Sequence, residues 1–184
     1  MSARVVVVLS GGLDSTVAAA LAKRNDDEVY GLTIDYGQRH VREIQAATEV
    51  ARHLGIEHKV LDLSALRGIL GGSALTDDIK VPHGHYADES MKITVVPNRN
   101  AILLSVAFGY AGSIGADMVL IGVHAGDHPI YPDCRPEFIK KFEEMEQTAM
   151  GPRSPWLWAP FVDKTKAQIA QLGYPVGAPF GRTW

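Results

Sequence analysis

Val5-Val6-Val7-Val8-Leu9-Ser10-Gly11-Gly12-Leu13-Asp14-Ser15 passes from an unbroken apolar run through a glycine turn into a helix-forming stretch over residues 16–23. An apolar run without alternation is what a parallel strand covered on both faces requires. Strand, glycine turn and helix in that order build an anion cradle. The turn exposes backbone N–H groups, and the helix directs its positive end at the same point. Glycine serves where the chain must bend and approach an anion without a Cβ. Ser10 and Ser15 add hydroxyl donors. Asp14 beside phosphates is repulsive unless a divalent cation bridges them, so the stretch asks for nucleotide and Mg²⁺ together. It is not a Walker loop, because no GK[ST] ending follows Gly12.

Working outward, strand and helix patterns alternate along the chain. Strands are expected over residues 29–34, 59–63, 118–123 and 156–161. Helical spacing covers 41–54, where Ile44, Ala47, Val50, Ala51 and Leu54 share a face. A short helix is expected over 64–70 and a buried one over 100–114. Residues 136–148 read as amphipathic, with Phe138, Ile139, Phe142 and Met145 on one side and Glu143, Glu144 and Glu146 on the solvated face. Thr165 opens a last helix, with Gln168 completing a capping box. This predicts an α/β fold, a doubly wound, mostly parallel sheet with helices on both faces and ligands outside the carboxyl ends of the strands. Residues 71–97 and 126–136 break the alternation and suit binding loops.

Composition narrows the function classes. A chain of 184 residues suits one domain, and the hydrophobic share of 46% with 21% charged residues is ordinary for a globular protein. The net charge of −3 gives no basic field for nucleic acid, so no direct nucleic-acid partner is expected. Cys134 is the one cysteine, which excludes a disulfide framework and fits a reducing cytoplasm. No leader or bilayer-spanning stretch of about 20 apolar residues is seen, so no membrane partner is expected.

Further clusters fall where ligand-binding loops are expected. These are Asp35-Tyr36-Gly37-Gln38-Arg39-His40, Val96-Pro97-Asn98-Arg99-Asn100, Gly122-Val123-His124-Ala125-Gly126-Asp127, Tyr131-Pro132-Asp133-Cys134-Arg135, and Lys166 after Pro160-Phe161. Ser-Gly-Gly-x-Asp-Ser after a first strand resembles the loop of the N-type ATP pyrophosphatases, which have the adenine-nucleotide alpha-hydrolase-like fold. With DYGQRH, VPNRN, YPDCRPEF and APFVDKTKAQ following in order, the chain resembles the 7-cyano-7-deazaguanine synthases of queuosine biosynthesis.

That resemblance implies a ligase that turns 7-carboxy-7-deazaguanine, ammonia and ATP into the nitrile preQ0, through an adenylated carboxylate and an amide. It implies an ATP-binding segment formed by Leu9, Ser10, Gly11, Gly12, Leu13, Asp14, Ser15, Thr16, Val17, Ala18 and Ala19. Asp14 would stand near Mg²⁺ and Lys166 would be the second phosphate contact. Asp14, Lys166 and Arg99 are the catalytic candidates. Arg99, Asp127, Asp133 and Arg135 are the candidates around the deazaguanine and its carboxylate, since a carboxylate suits an arginine fork and a guanine-like edge offers donors to a carboxylate. A homodimer is the family expectation.

The chain departs from the family pattern in two places. Pro129-Ile130 stands where many members carry Ser-Gly. The pattern also continues past a Thr-Trp matching Thr183-Trp184 into four cysteines that bind Zn²⁺, and this sequence, with Cys134 alone, holds no such set, leaving a single ATP pyrophosphatase domain over 1–184.

Several residues have plainer readings. His83 and His85 read as loop residues, Asp133 with Arg135 as a possible ion pair, and Trp156 with Trp158 as core or interface. Cys134 has His124 and His128 nearby in sequence as bases if it were a nucleophile. Alternative functions are transfer of the activated acid to another amine, adenylation of a tRNA base, or a nucleotide-binding subunit or sensor. The intact loop together with Lys166 argues against the last.

Overall fold

The computed structural model describes residues 2–25, 27–37, 41–69 and 95–184. Gln38, Arg39, His40, His83 and His85, and most of the loop expected from Gly71 onward, lie outside the described residues.

Strands β1 (Arg4–Val8), β2 (Glu28–Asp35), β3 (Glu57–Asp62), β4 (Met118–Leu120) and β5 (Trp156–Trp158) form one sheet in the order β3-β2-β1-β4-β5. Every pairing is parallel, with Val6 beside Tyr30 on one side and Val119 on the other. The order reverses between β1 and β4, which opens a crevice at the carboxyl ends of those two strands.

The unbroken valine run of β1 is explained by what covers it. Val5, Val7 and Leu9 join a core with α1 (Leu13–Arg24), α2 (Val41–Leu54) and α5 (Lys166–Gly173), in which Val17, Val50, Phe161 and Ile169 are fully buried. Val6 and Val8 face the opposite core, built with α3 (Arg99–Ile114) and α4 (Pro136–Met150) around Leu104, Phe108 and Phe142. Both faces of the strand are therefore dry, and no polar alternation survives.

Several expectations need correction. β4 ends at Leu120 and β5 at Trp158, short of residues 123 and 161, because their continuations turn into the ligand-side loops. One further strand-like bond, Ile121 N–H to the Trp158 carbonyl at 3.0 Å, marks where the pairing stops. Helix α3 is buried on one face only, through Asn100, Leu104, Ala107, Phe108 and Ala111. On α4 the inward stripe runs through Phe138, Phe142 and Glu146, not Met145, which is 49% exposed. Glu146 is buried, and that burial pushes its carboxyl above the usual range. Glu143 is not on a solvated face either; its Oε1 accepts the Leu157 N–H at 2.7 Å and caps the edge strand. Trp156 is 64% exposed and is not core. The capping box on α5 forms as expected, with Thr165 Oγ1 accepting from the Gln168 N–H and Gln168 Oε1 from the Thr165 N–H. No helix is long and apolar enough to cross a membrane among the described residues.

Candidate functional site

A cavity of about 250 Å³ lies at the β1–β4 crevice. Its polar lining comes from Ser10, Gly12, Asp14 and Ser15 after β1, from Tyr36 and Glu43, from Arg99 and Asn100 at the start of α3, and from Asp127 and Cys134 after β4.

The phosphate-loop wall is made of backbone. Ser15 ties the turn together: its Oγ accepts from Ser10 N–H at 3.2 Å, lies 3.1 Å from Ser10 Oγ, and donates to the Gly12 carbonyl at 3.2 Å. Gly12 is the N-cap of α1 and places no side chain over the helix end, so the positive terminus opens on the cavity. Gly11 has φ +79, and a Cβ there would lie 2.6 Å from the Ala47 nitrogen and the Glu43 carbonyl oxygen. Gly122, leaving β4, approaches so closely that a Cβ would sit 2.9 Å from Ser15 N. Of the sequence-predicted ATP segment, Leu9, Thr16, Val17, Ala18 and Ala19 are buried beneath the loop, and Leu13 packs against the same core. They hold the cradle; the cavity is lined by Ser10, Gly12, Asp14 and Ser15.

Asp14 stands at the centre of the charge pattern. Burial pushes its carboxyl above the usual carboxylate range, and the neighbouring His124 ring and the Lys166 charge only partly offset this. Its Oδ1 is buried with no hydrogen-bond partner among the described residues. Asp127 faces it across the ring of His124, and Glu43 adds a further carboxylate to the lining. Such a wall repels polyphosphate on its own, whereas an orphaned carboxylate oxygen beside a second carboxylate suits a divalent cation. Mg²⁺ takes one or two protein carboxylates and completes its shell with phosphate oxygens and water. Lys166 is the first residue of α5, exposed, and near enough for its charge to favour the Asp14 carboxylate.

The opposite wall is made of side chains. Burial opposes the Arg99 charge, but a hydrogen bond to Tyr36 and the nearby Asp133 carboxylate outweigh it and keep the guanidinium protonated. Burial in turn pushes the Tyr36 hydroxyl up, with Arg99 pulling the other way. Arg99 also lies over the Tyr131 ring, 5.7 Å from its centre. Asp133 accepts the Asn100 N–H on Oδ2 at 2.8 Å and so satisfies the first turn of α3. Asn100 Nδ2 donates to the Asp133 carbonyl and reaches Cys134 Sγ at 3.1 Å.

The sequence-predicted residues thus divide. Arg99 and Asp127 line the cavity; Asp133 and Arg135 are not among its lining residues. Asp133 and Arg135 form no ion pair: Arg135 Nε donates to the His128 carbonyl at 2.9 Å. The surroundings of Cys134 work against a nucleophilic role. Burial, then Asp127 and Asp133, push its thiol up to about 12, so the thiolate is absent at neutral pH. Tyr36, Glu43 and Asn100 were not singled out from sequence. Tyr36 sat inside a quoted motif at the end of β2, which is the signal that finds it; Glu43, in the first turn of α2, carried none.

The sequence matches the family model for the queuosine biosynthesis protein QueC over residues 4–184. It is 47% identical over 184 residues to the 7-cyano-7-deazaguanine synthase of Pseudoalteromonas translucida, covering 100% of this chain and 84% of that protein. The synthase of Rhizobium leguminosarum bv. trifolii is 51% identical over 183 residues, covering 98% of this chain and 77% of the relative. Among solved structures, a U34-tRNA thiolase from Methanococcus maripaludis superposes with TM-score 0.58 at 19% identity, over 97% of this chain and 58% of that one. An NH3-dependent NAD synthetase from Campylobacter jejuni does so at 0.57 and 17%, over 99% and 67%. At such identities these two speak for the fold, that of adenine-nucleotide alpha-hydrolase-like proteins.

Proposed function

The chain belongs to the QueC family of queuosine biosynthesis proteins, and from that premise we propose that it is the ligase that makes 7-cyano-7-deazaguanine from 7-carboxy-7-deazaguanine, ammonia and ATP, with Mg²⁺. The observation that carries this reading is the two-walled cavity, a backbone cradle for phosphate facing a half-buried arginine across a carboxylate pair.

ATP lies with its phosphates on the first turn of α1, within reach of Ser10, Gly12 and Ser15. Arg99, oriented by Tyr36, grips the substrate carboxylate and points one oxygen at the α-phosphorus. That oxygen forms the new P–O bond while the bond to pyrophosphate breaks, giving an acyl adenylate and free pyrophosphate. Lys166 neutralises charge on the departing pyrophosphate. Ammonia then adds to the acyl carbon, AMP leaves, and a proton is lost to give the amide. In a second round the amide oxygen attacks the α-phosphorus of a second ATP as pyrophosphate leaves, then departs with AMP, and loss of the two N–H protons leaves the nitrile. Asp14 and Asp127 would hold Mg²⁺, which would supply charge neutralisation between the carboxylates and the polyphosphate.

Residues 1–184 act in this reading as one ATP pyrophosphatase domain on small-molecule substrates, as a cytoplasmic homodimer. The test is AMP release by the purified protein with ATP, Mg²⁺, ammonium and the acid, with product mass read alongside. AMP that depends on the acid, with the nitrile formed, supports the reading; AMP release indifferent to the acid overturns it.

A further inference from the structure

His124 is buried between the two carboxylates that the proposed mechanism gives to the cation, yet that mechanism leaves it without a role. Its ring Nε2 lies 3.8 Å from Asp14 Oδ2 and 3.4 Å from Asp127 Oδ1. The other ring nitrogen is already committed. Nδ1 accepts the Gly126 N–H at 2.9 Å, so the ring proton must sit on Nε2 and point at the carboxylates. The backbone of His124 takes part too, its N–H donating to Asp127 Oδ2 at 3.2 Å. Asp127 is therefore held by main chain on one oxygen and faces the imidazole with the other.

Gly126 belongs to the same device. A Cβ there would lie 2.7 Å from His124 Cε1 and 3.0 Å from Nδ1. Only glycine lets this backbone donor close on the ring. The turn over Ala125–Asp127 thus fixes a tautomer, and the tautomer presents one N–H edge to two acids that would otherwise repel each other.

We propose that His124 is the positioning residue of the phosphate site: its Nε2–H edge, fixed by Gly126, keeps Asp14 and Asp127 side by side so that both present an oxygen to a divalent cation. The proposal deepens the reading above and rests on it for the identity of the nucleotide, though its structural core does not.

Two measurements test it. With ¹⁵N-labelled histidine in the whole protein, the His124 resonances, assigned by their loss in His124→Gln, report the tautomer directly. Protonation on Nε2 with bare Nδ1 is expected; a proton on Nδ1 overturns the proposal whether or not the protein is active. The second measurement is the Mg²⁺ dependence of ATP–pyrophosphate exchange, alongside Mn²⁺ binding read by electron paramagnetic resonance. His124→Leu, which fills the space without a donor, is expected to raise the half-saturating metal concentration about 10–100-fold with KM for the acid unchanged, the usual scale for a partner that orients a ligand. His124→Gln, whose amide N–H can reach the Nε2 position, should recover most of that loss. Equal shifts in Leu and Gln variants, or metal binding unchanged in both, overturn it. Should the wild-type protein show no acid-dependent exchange, the functional reading fails, while the tautomer and Mn²⁺ binding still decide this inference.

Discussion

The two walls of the cavity are built by opposite means. On the β1 side, a contiguous stretch from Ser10 to Ser15 offers backbone donors and a helix terminus, with side chains that mostly brace the turn. On the other side, Tyr36, Arg99, Asn100, Asp127 and Cys134 arrive from distant parts of the chain and meet through side-chain contacts. The difference teaches that a wall of backbone donors can be written into one local motif, whereas a wall of converging side chains needs the whole fold; in the proposed reading the first suits phosphate and the second a particular acid.

Asp14 lies where the walls meet, and its replacement should have the largest effect. Asp14→Asn is expected to lower kcat by about 100-fold or more, the scale of losing a charge-organising group in a dry site. The same change should stabilise the free protein, because it removes a buried carboxylate with an unpartnered oxygen. A gain of about 1 kcal/mol corresponds to roughly 2–4 °C in Tm for a chain of this size. The pH dependence has a definite sign. The Asp14 carboxyl is raised in the folded state, so the native form holds its proton longer, and wild-type stability falls as pH rises from the ordinary carboxylate range through the raised value. The Asn variant should lose that slope, as thermal melts across pH would reveal.

Arg99 probes the far wall alone. Arg99→Lys keeps the charge but loses the fork, and kcat/KM for the acid should fall by roughly 30-fold, about 2 kcal/mol. KM for ATP should hold within about threefold; an equal loss on both substrates would break the division of labour.

Gly122→Ala tests how tightly β4 presses on the loop. Overpacking of this kind costs about 1–3 kcal/mol, and chemical denaturation should show it together with a rise in KM for ATP. The smallest effect is expected at Cys134. Cys134→Ser should change kcat by less than about threefold, and alkylation of the wild-type thiol at neutral pH should be slow, since the raised thiol remains protonated.

The same contrast explains what was legible beforehand. The valine run of β1 and the loop after it announced a covered parallel strand and a glycine turn into a helix N-terminus, because strand burial and helix start are local consequences of residue order. The Thr165–Gln168 capping box was equally readable. Glu43 was not, because its place in the cavity depends on α2 lying against Gly11. Nor could Asp133 be assigned, as its Oδ2 is spent on the first turn of α3, a contact that spans distant segments. Glu143 and Glu146 looked solvated by charge pattern, yet one caps an edge strand and the other is buried. Spacing alone does not say what a helix face will meet.

The most direct test of the two-walled account is ATP–pyrophosphate exchange driven by 7-carboxy-7-deazaguanine without ammonia, compared in wild-type, Asp14→Asn and Arg99→Lys proteins. The account predicts exchange that requires the acid, is lowered about 100-fold or more by Asp14→Asn, and is shifted to higher acid concentration by Arg99→Lys. Exchange that ignores the acid, or an Arg99→Lys variant with an unchanged response to it, would contradict the account.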